Sequence, residues 1–221
     1  MTPDFAKAVD TVFLMVLGLL DRVGQGESLD PKVVRNRIKG WLNDAENELS
    51  RKKEWQLAKY AIISWIDEVM IDAPWEHGRW WNENKLETEL LGTNDREWNF
   101  YVQANEAAKL DKRDALQVYY VAVVLGFRGI YRDPAQAPFH AHALNEQHAA
   151  AGLDLPDQAE RWVEQIGALI PPEKWPRIRP EKIDLDGSPP LEGPMPLVLA
   201  ACLGGGLTVL IVLFCLLFLT Q

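Results

Sequence analysis

Apolar residues recur along this chain at spacings of three and four, the period of a helix with one buried face. Phe5, Val9, Val12, Phe13, Val16, Leu17 and Leu20 mark a first helix, ended by Gly24 and Gly26. Asp30 followed by Pro31 is an N-cap with proline at the first helical position, and the helix it opens carries Val34, Ile38, Trp41, Leu42, Ala45 and Leu49. A third helix is expected from Glu54 to Ile71, with Ala58, Ala61, Ile62, Trp65 and Val69 as its stripe and Asp72-Ala73-Pro74 as its stop. Between Trp75 and Asn94 the pattern predicts a short helix around Leu86 and a break at Gly92-Thr93-Asn94. Helices over Asp95–Ala108 and Arg113–Phe127 follow, the second very apolar and ended by Gly126 and Gly129. Two smaller ones are expected near His140–Ala150 and Asp157–Leu169. Neither strand alternation nor a long repeat is visible, so the fold class is all-α.

The pattern changes twice near the C-terminus. Residues 171–196 are rich in proline and charge and read as a linker, which bounds a helical domain at 1–170. From Leu197 to Leu219 there is no charged side chain. As a helix this stretch is about 34 Å long, enough for the ~30 Å hydrocarbon core of a bilayer. Only Thr220 and Gln221 follow, so a tail anchor is expected. Arg177, Arg179 and Lys182 lie just upstream and no cation lies downstream, which keeps the helical domain in the cytoplasm. Val12–Leu20, by contrast, is short, flanked by Asp10 and Asp21, and lacks a basic start, so it reads as a core helix and not as a signal peptide. Within the apolar tail, Ala200, Ala201 and Cys202 each stand four residues before one of Gly204, Gly205 and Gly206. Small residues so spaced let a second helix approach; a merely tolerated glycine run is the alternative.

Composition narrows the chemistry. The net charge of −9 disfavours nucleic acid, whose phosphates require a basic surface, and broad adhesion to anionic lipid. Both cysteines, Cys202 and Cys215, fall in the apolar tail, which leaves the helical domain without a thiol for a disulfide, a metal or a nucleophile. Nine tryptophans are many for 221 residues and hint at packed junctions or interfaces. His77, His140, His142 and His148 do not fall at metal-ligand spacings, and no phosphate-binding or nucleophile-elbow motif occurs, so neither metal nor cofactor is expected.

One pair stands out. Asp67 and Glu68 are adjacent in the last turns of the third helix, where the helix dipole disfavours each negative charge by ~0.3–1 kcal/mol. Neighbouring helical residues point roughly 100° apart, which sets Asp67 opposite the apolar stripe and Glu68 at its edge. Something must offset the dipole. Internal ion pairs with Arg128 and Arg132 would do so, and so would a partner that binds exposed acids in a groove; a catalytic dyad lacks a nucleophile or matched proton donor nearby.

Three stretches in order then resemble the DotU/TssL family, the small inner-membrane component of type VI secretion systems and of their type IVB relatives. They are Ala61-Ile62-Ile63-Ser64-Trp65-Ile66-Asp67-Glu68 leading to Pro74-Trp75, Leu90-Leu91-Gly92-Thr93-Asn94-Asp95 leading to Trp98 and Phe100, and Leu125-Gly126-Phe127-Arg128-Gly129-Ile130-Tyr131-Arg132. The resemblance covers roughly Phe5 to Arg132 and is less clear from Asp133 to Pro196; Leu91 stands where the family more often has phenylalanine. It implies a hook-like pair of small helix bundles in the cytoplasm above a membrane helix, and a structural subunit without enzymatic activity. It also implies a complex with a large TssM/IcmF-like membrane protein and docking of baseplate proteins such as a TssK-like subunit; a homodimer is kept among the partners. On this view Asp67 and Glu68, with Trp75, Arg128 and Arg132 around them, form the partner-binding set. A type IVB subunit and a tail-anchored adaptor of an unrelated assembly are the alternatives, and a membrane-tethered enzyme using the acids or histidines is the more distant one.

Overall fold

Helix α1, Pro3–Gly24, turns its Phe5, Val9, Val12, Phe13, Val16 and Leu19 inward, the stripe expected from their spacing. It is the first element of a computed structural model that describes residues 1–49 and 53–170. The segments 171–196 and 197–219, with Ala200, Ala201, Gly204, Gly205 and Gly206, lie outside the described residues. No helix within the described residues is long and apolar enough to cross a membrane.

The chain continues as α2 (Pro31–Leu49), α3 (Lys53–Asp72), α4 (Gly78–Glu83), α5 (Leu86–Leu90), α6 (Arg96–Ala108), α7 (Asp114–Val124), α8 (Ala137–Gln147) and α9 (Ala159–Leu169), with short 3₁₀ turns at Gly129–Tyr131 and Ala149–Ala151. The described residues are all-helical, with no strand among them. Asp30 caps α2 as expected, its Oδ1 accepting the Lys32 amide at 2.8 Å. The start of α1 is tied to α7: the Thr2 amide and hydroxyl donate to the two carboxylate oxygens of Asp114 at 3.0 and 2.6 Å.

Helix α3 departs from the sequence expectation. A single stripe through Ala58, Ala61, Ile62, Trp65 and Val69 predicts one solvent face, yet Trp55, Tyr60, Ile63, Ser64, Ile66, Asp67 and Glu68 are buried too, and Val69 is only half-buried. The reason is its place in the fold. It packs most extensively on α7 and α6, and also on α4, α5, α1 and α2, while α1 and α2 pack chiefly on each other. A helix enclosed on all sides has no need of a polar face. The Tyr119 hydroxyl donates to the Leu57 carbonyl at 2.8 Å and the Trp65 indole to the Leu125 carbonyl at 3.2 Å, fixing α7 along α3. An aromatic cluster fills the space beyond α7: Phe100 stacks on Phe127 at 4.0 Å, and Tyr101 meets Trp162 of α9 edge-on at 5.1 Å. All these elements belong to one compact unit, Met1–Glu173.

Candidate functional site

Both acids of the singled-out pair lie inside the fold. Asp67 is 0% and Glu68 1% exposed, so the expectation that Asp67 faces away from the core does not hold. Once α4 and α5 cover that side of α3, the face opposite the stripe is interior as well.

Asp67 is satisfied by three donors. Its Oδ1 accepts the Trp81 indole N–H and the Leu86 amide, both at 2.9 Å, and its Oδ2 accepts the Glu87 amide at 2.8 Å. Leu86 and Glu87 open α5, where amide groups have no partner within the helix. Lys85, at the cap position, offers no side-chain capping bond, and the carboxylate from α3 supplies the missing acceptor. The positive end of α5 meets the charge that the end of α3 disfavours. Burial pushes the Asp67 carboxyl above its ordinary range, against the pull of the Glu87 and Leu86 amides and the Trp81 indole.

Glu68 points the other way and grips the connection from α7 to α8. Its Oε1 accepts the Arg128 amide at 2.7 Å and the Gly129 amide at 3.3 Å, and the Arg132 guanidinium lies 3.3 Å away. Burial raises its pKa, while the Arg128 amide and the Arg132 charge oppose the rise. Arg132 also forks onto Asp72, with both N···O distances 2.9 Å, and that bond raises the Arg132 pKa. Gly129 makes this connection possible. Its φ is +51°, and an added Cβ would stand 2.4 Å from the Glu97 carbonyl oxygen and 3.0 Å from the Phe127 and Tyr101 rings.

The two arginines proposed as donors to the pair therefore differ. Arg132 does reach Glu68 with its guanidinium, whereas Arg128 does so with its backbone amide. The Arg128 guanidinium instead donates to the carbonyls of Val123 and Phe127 at 3.0 and 3.1 Å, closing the end of α7. Trp75 is half-buried; its indole donates to the Met70 carbonyl at 2.8 Å and its ring lies 6.0 Å from that of Trp81. All five expected residues thus gather around the end of α3, each held by bonds within the fold.

Sequence patterning missed Glu87. It is fully buried, and its Oε1 accepts the Asp95 amide at 2.7 Å and the Thr93 hydroxyl at 3.1 Å, while Arg96 lies 3.7 Å from its Oε2. An acid in the first turn of a five-residue helix looks solvated in sequence; only the nearby Gly92-Thr93-Asn94-Asp95 turn hinted that an acceptor was needed.

The arrangement suits support better than chemistry. The two carboxylates diverge, their oxygens are filled by N–H donors, and neither can be reached by a substrate. Among the described residues no group of three His, Cys, Asp or Glu side chains could hold a metal ion. His142 stands beside Glu146 at 3.4 Å on the surface, and His148 stacks on Trp98 at 6.1 Å.

No curated protein and no solved structure matches the chain. A family model does: residues 4–219 match the type VI secretion system protein DotU. That match runs through the helical unit and on across the apolar tail, and so the chain belongs to the DotU family of type VI secretion proteins.

Proposed function

We propose that this DotU-family protein is a structural subunit of the type VI secretion membrane complex. Residues 197–219 anchor it in the inner membrane as a single pass, and the helical unit stays on the cytoplasmic side and recruits baseplate components by protein–protein contact. The observation that carries this is the family match across residues 4–219, which joins the helical unit to the charge-free tail in one chain. The burial of Asp67 and Glu68, whose oxygens are taken up by N–H donors of the fold, supports a scaffold over an enzyme. The partners proposed are a TssM/IcmF-like membrane protein and a TssK-like baseplate subunit.

The role of the Asp67–Glu68 set follows from its bonds. Asp67 fixes the start of α5 and Glu68 fixes residues 128–132, so the pair, with Trp75, Arg128 and Arg132, shapes the surface that partners meet. The test is a pull-down of the full chain from membranes, wild type against the Asp67→Ala/Glu68→Ala variant, with chemical denaturation run alongside. Recovery of TssM-like and baseplate subunits with the wild type, and loss of the baseplate subunits with the variant, supports the role. Recovery of neither with the wild type ends it.

A further inference from the structure

Beside the loop that Glu68 holds, the surface opens into a groove of about 470 Å³ between α6 and α8. Its floor is Gly129, Ile130 and Leu144, and Trp98 and Ala143 form its sides. Gln136 at the cap of α8, and His140, Ala143 and Gln147 on it, follow one another at helical spacing along the groove. One turn before Ala143 stands Phe139, 69% exposed, its ring 5.9 Å from that of His140. A lone exposed phenylalanine is unremarkable, and this one lies outside the groove lining.

The charges around the groove are unbalanced. The Glu97 carboxylate makes no hydrogen bond or ion pair among the described residues, and the Asp133 carboxylate meets only the Ala135 amide. The single cation of the lining, Arg132, is already matched by Asp72 and Glu68. The rim is therefore net acidic over an apolar floor. Volume alone would admit a small molecule, since such sites span ~300–1,000 Å³. Yet none of the lining side chains is a buried polar group awaiting a partner, and a small ligand needs several such groups to fix it.

We propose that this groove receives a segment of a partner protein that inserts an apolar side chain between Trp98 and Leu144 and sets an adjoining lysine or arginine against Glu97 and Asp133. The apolar anchor supplies affinity; the acidic rim selects the approach and rejects acidic segments. The inference rests on the recruitment role proposed above and names the surface through which it works. It also assigns Glu68 a positioning role, because the carboxylate holds Gly129, part of the groove floor, in place.

The test uses the full chain in its native membrane, with p-benzoylphenylalanine in place of Ala143 and the crosslinked peptide sequenced. In parallel, Ala143→Trp fills the groove, Glu97→Arg reverses the rim, and Glu164→Arg on exposed α9 surface serves as control. The expected result is a crosslink to another secretion subunit at a stretch combining apolar residues with a lysine or arginine. Recovery of that subunit should fall roughly tenfold or more with Ala143→Trp and with Glu97→Arg, and stay level with the control. A crosslink to a second copy of this chain or to an acidic stretch overturns the proposal. So does unchanged recovery of every subunit with both groove variants, which would leave recruitment intact and place it elsewhere. If the wild type recovers no secretion subunit at all, the recruitment role fails first and this inference falls with it.

Discussion

Replacing Asp67 with alanine removes the acceptor of three donors at once: the Trp81 indole and the Leu86 and Glu87 amides, whose residues are all fully buried. A buried donor left without a partner costs about 1–3 kcal/mol. Water entering the space vacated by the carboxylate can serve some of the three, and losing a buried charge returns part of its desolvation. Taking the low end for each donor gives a destabilisation of about 3 kcal/mol for Asp67→Ala. Asp67→Asn keeps the volume and one acceptor oxygen, but it turns an amide NH₂ toward a backbone N–H, and about 2 kcal/mol is expected. Trp81→Phe removes a single donor and leaves the carboxylate its two amide partners, so about 1 kcal/mol is the expectation for that hydrogen bond.

The assay is a urea titration of the full chain followed by tryptophan fluorescence, with the midpoint compared at constant slope. Because Asp67→Ala already breaks the bond to Trp81, the double variant Asp67→Ala/Trp81→Phe should lie closer to Asp67→Ala alone than the sum of the single effects requires. An Asp67→Ala variant within about 0.5 kcal/mol of wild type would refute the assigned role, since that is the range of neutral surface changes. If such a stable variant also lost baseplate recruitment, Asp67 would have to act on a partner directly, and the fold would have to open to expose it.

Three further outcomes follow from the same geometry. Gly129→Ala combines a left-handed backbone with a Cβ 2.4 Å from the Glu97 carbonyl; about 3 kcal/mol or more is expected, read as a lowered urea midpoint. Arg132→Ala costs less, about 1 kcal/mol, because its side chain is 47% exposed and solvent screens its contacts with Glu68 and Asp72. Burial raises the Glu68 pKa from its ordinary 4.5, so the folded unit holds that proton more tightly than the unfolded chain. This contribution is fully present below about pH 4.5 and is lost as pH rises through the raised value, so wild type should lose stability relative to Glu68→Gln between pH 4.5 and neutrality. Urea midpoints at the two pH values check it, and a difference that stays constant or grows in favour of wild type contradicts the assignment.

Local signals in the sequence carry much of the fold. Asp30-Pro31 locates the start of α2, the stripe from Phe5 to Leu20 marks the buried face of α1, and Gly92-Thr93-Asn94 marks the break before α6. Each is decided within a turn or two of chain, where spacing and capping chemistry act. The surroundings of α3 are decided elsewhere. Its second buried face exists only because α4 and α5 return over it, which no periodicity within Glu54–Ile71 can show. The acid pair illustrates the division. The helix dipole shows locally that Asp67 and Glu68 need compensation, but their partners stand some 20 and 60 residues further along the chain. Side-chain type suggested Arg128 as an ionic partner, and the backbone supplies the bond instead. Glu87 escaped notice for the same reason, since its partners at Thr93 and Asp95 meet it only after the turn closes.

Two adjacent acids that diverge from one buried helix act as a clamp, and this alters what their substitution can show. Glu68 touches Gly129, Gly129 belongs to the groove floor, and the groove is where a partner segment is proposed to enter. Loss of recruitment on removing Glu68 is therefore expected even if no partner ever contacts it. The two routes separate by pairing each loss of recruitment with a stability measurement. Support through the fold predicts that Glu68→Ala lowers both together, and that Ala143→Trp, at an exposed position, lowers recruitment alone. Direct contact with the pair predicts the reverse: Ala143→Trp recruits normally, and Glu68→Ala fails without destabilisation. The burial of Glu68 favours the first pattern, because a carboxylate enclosed by Arg128, Gly129 and Arg132 can meet a partner only if that loop lifts away and its bonds are broken.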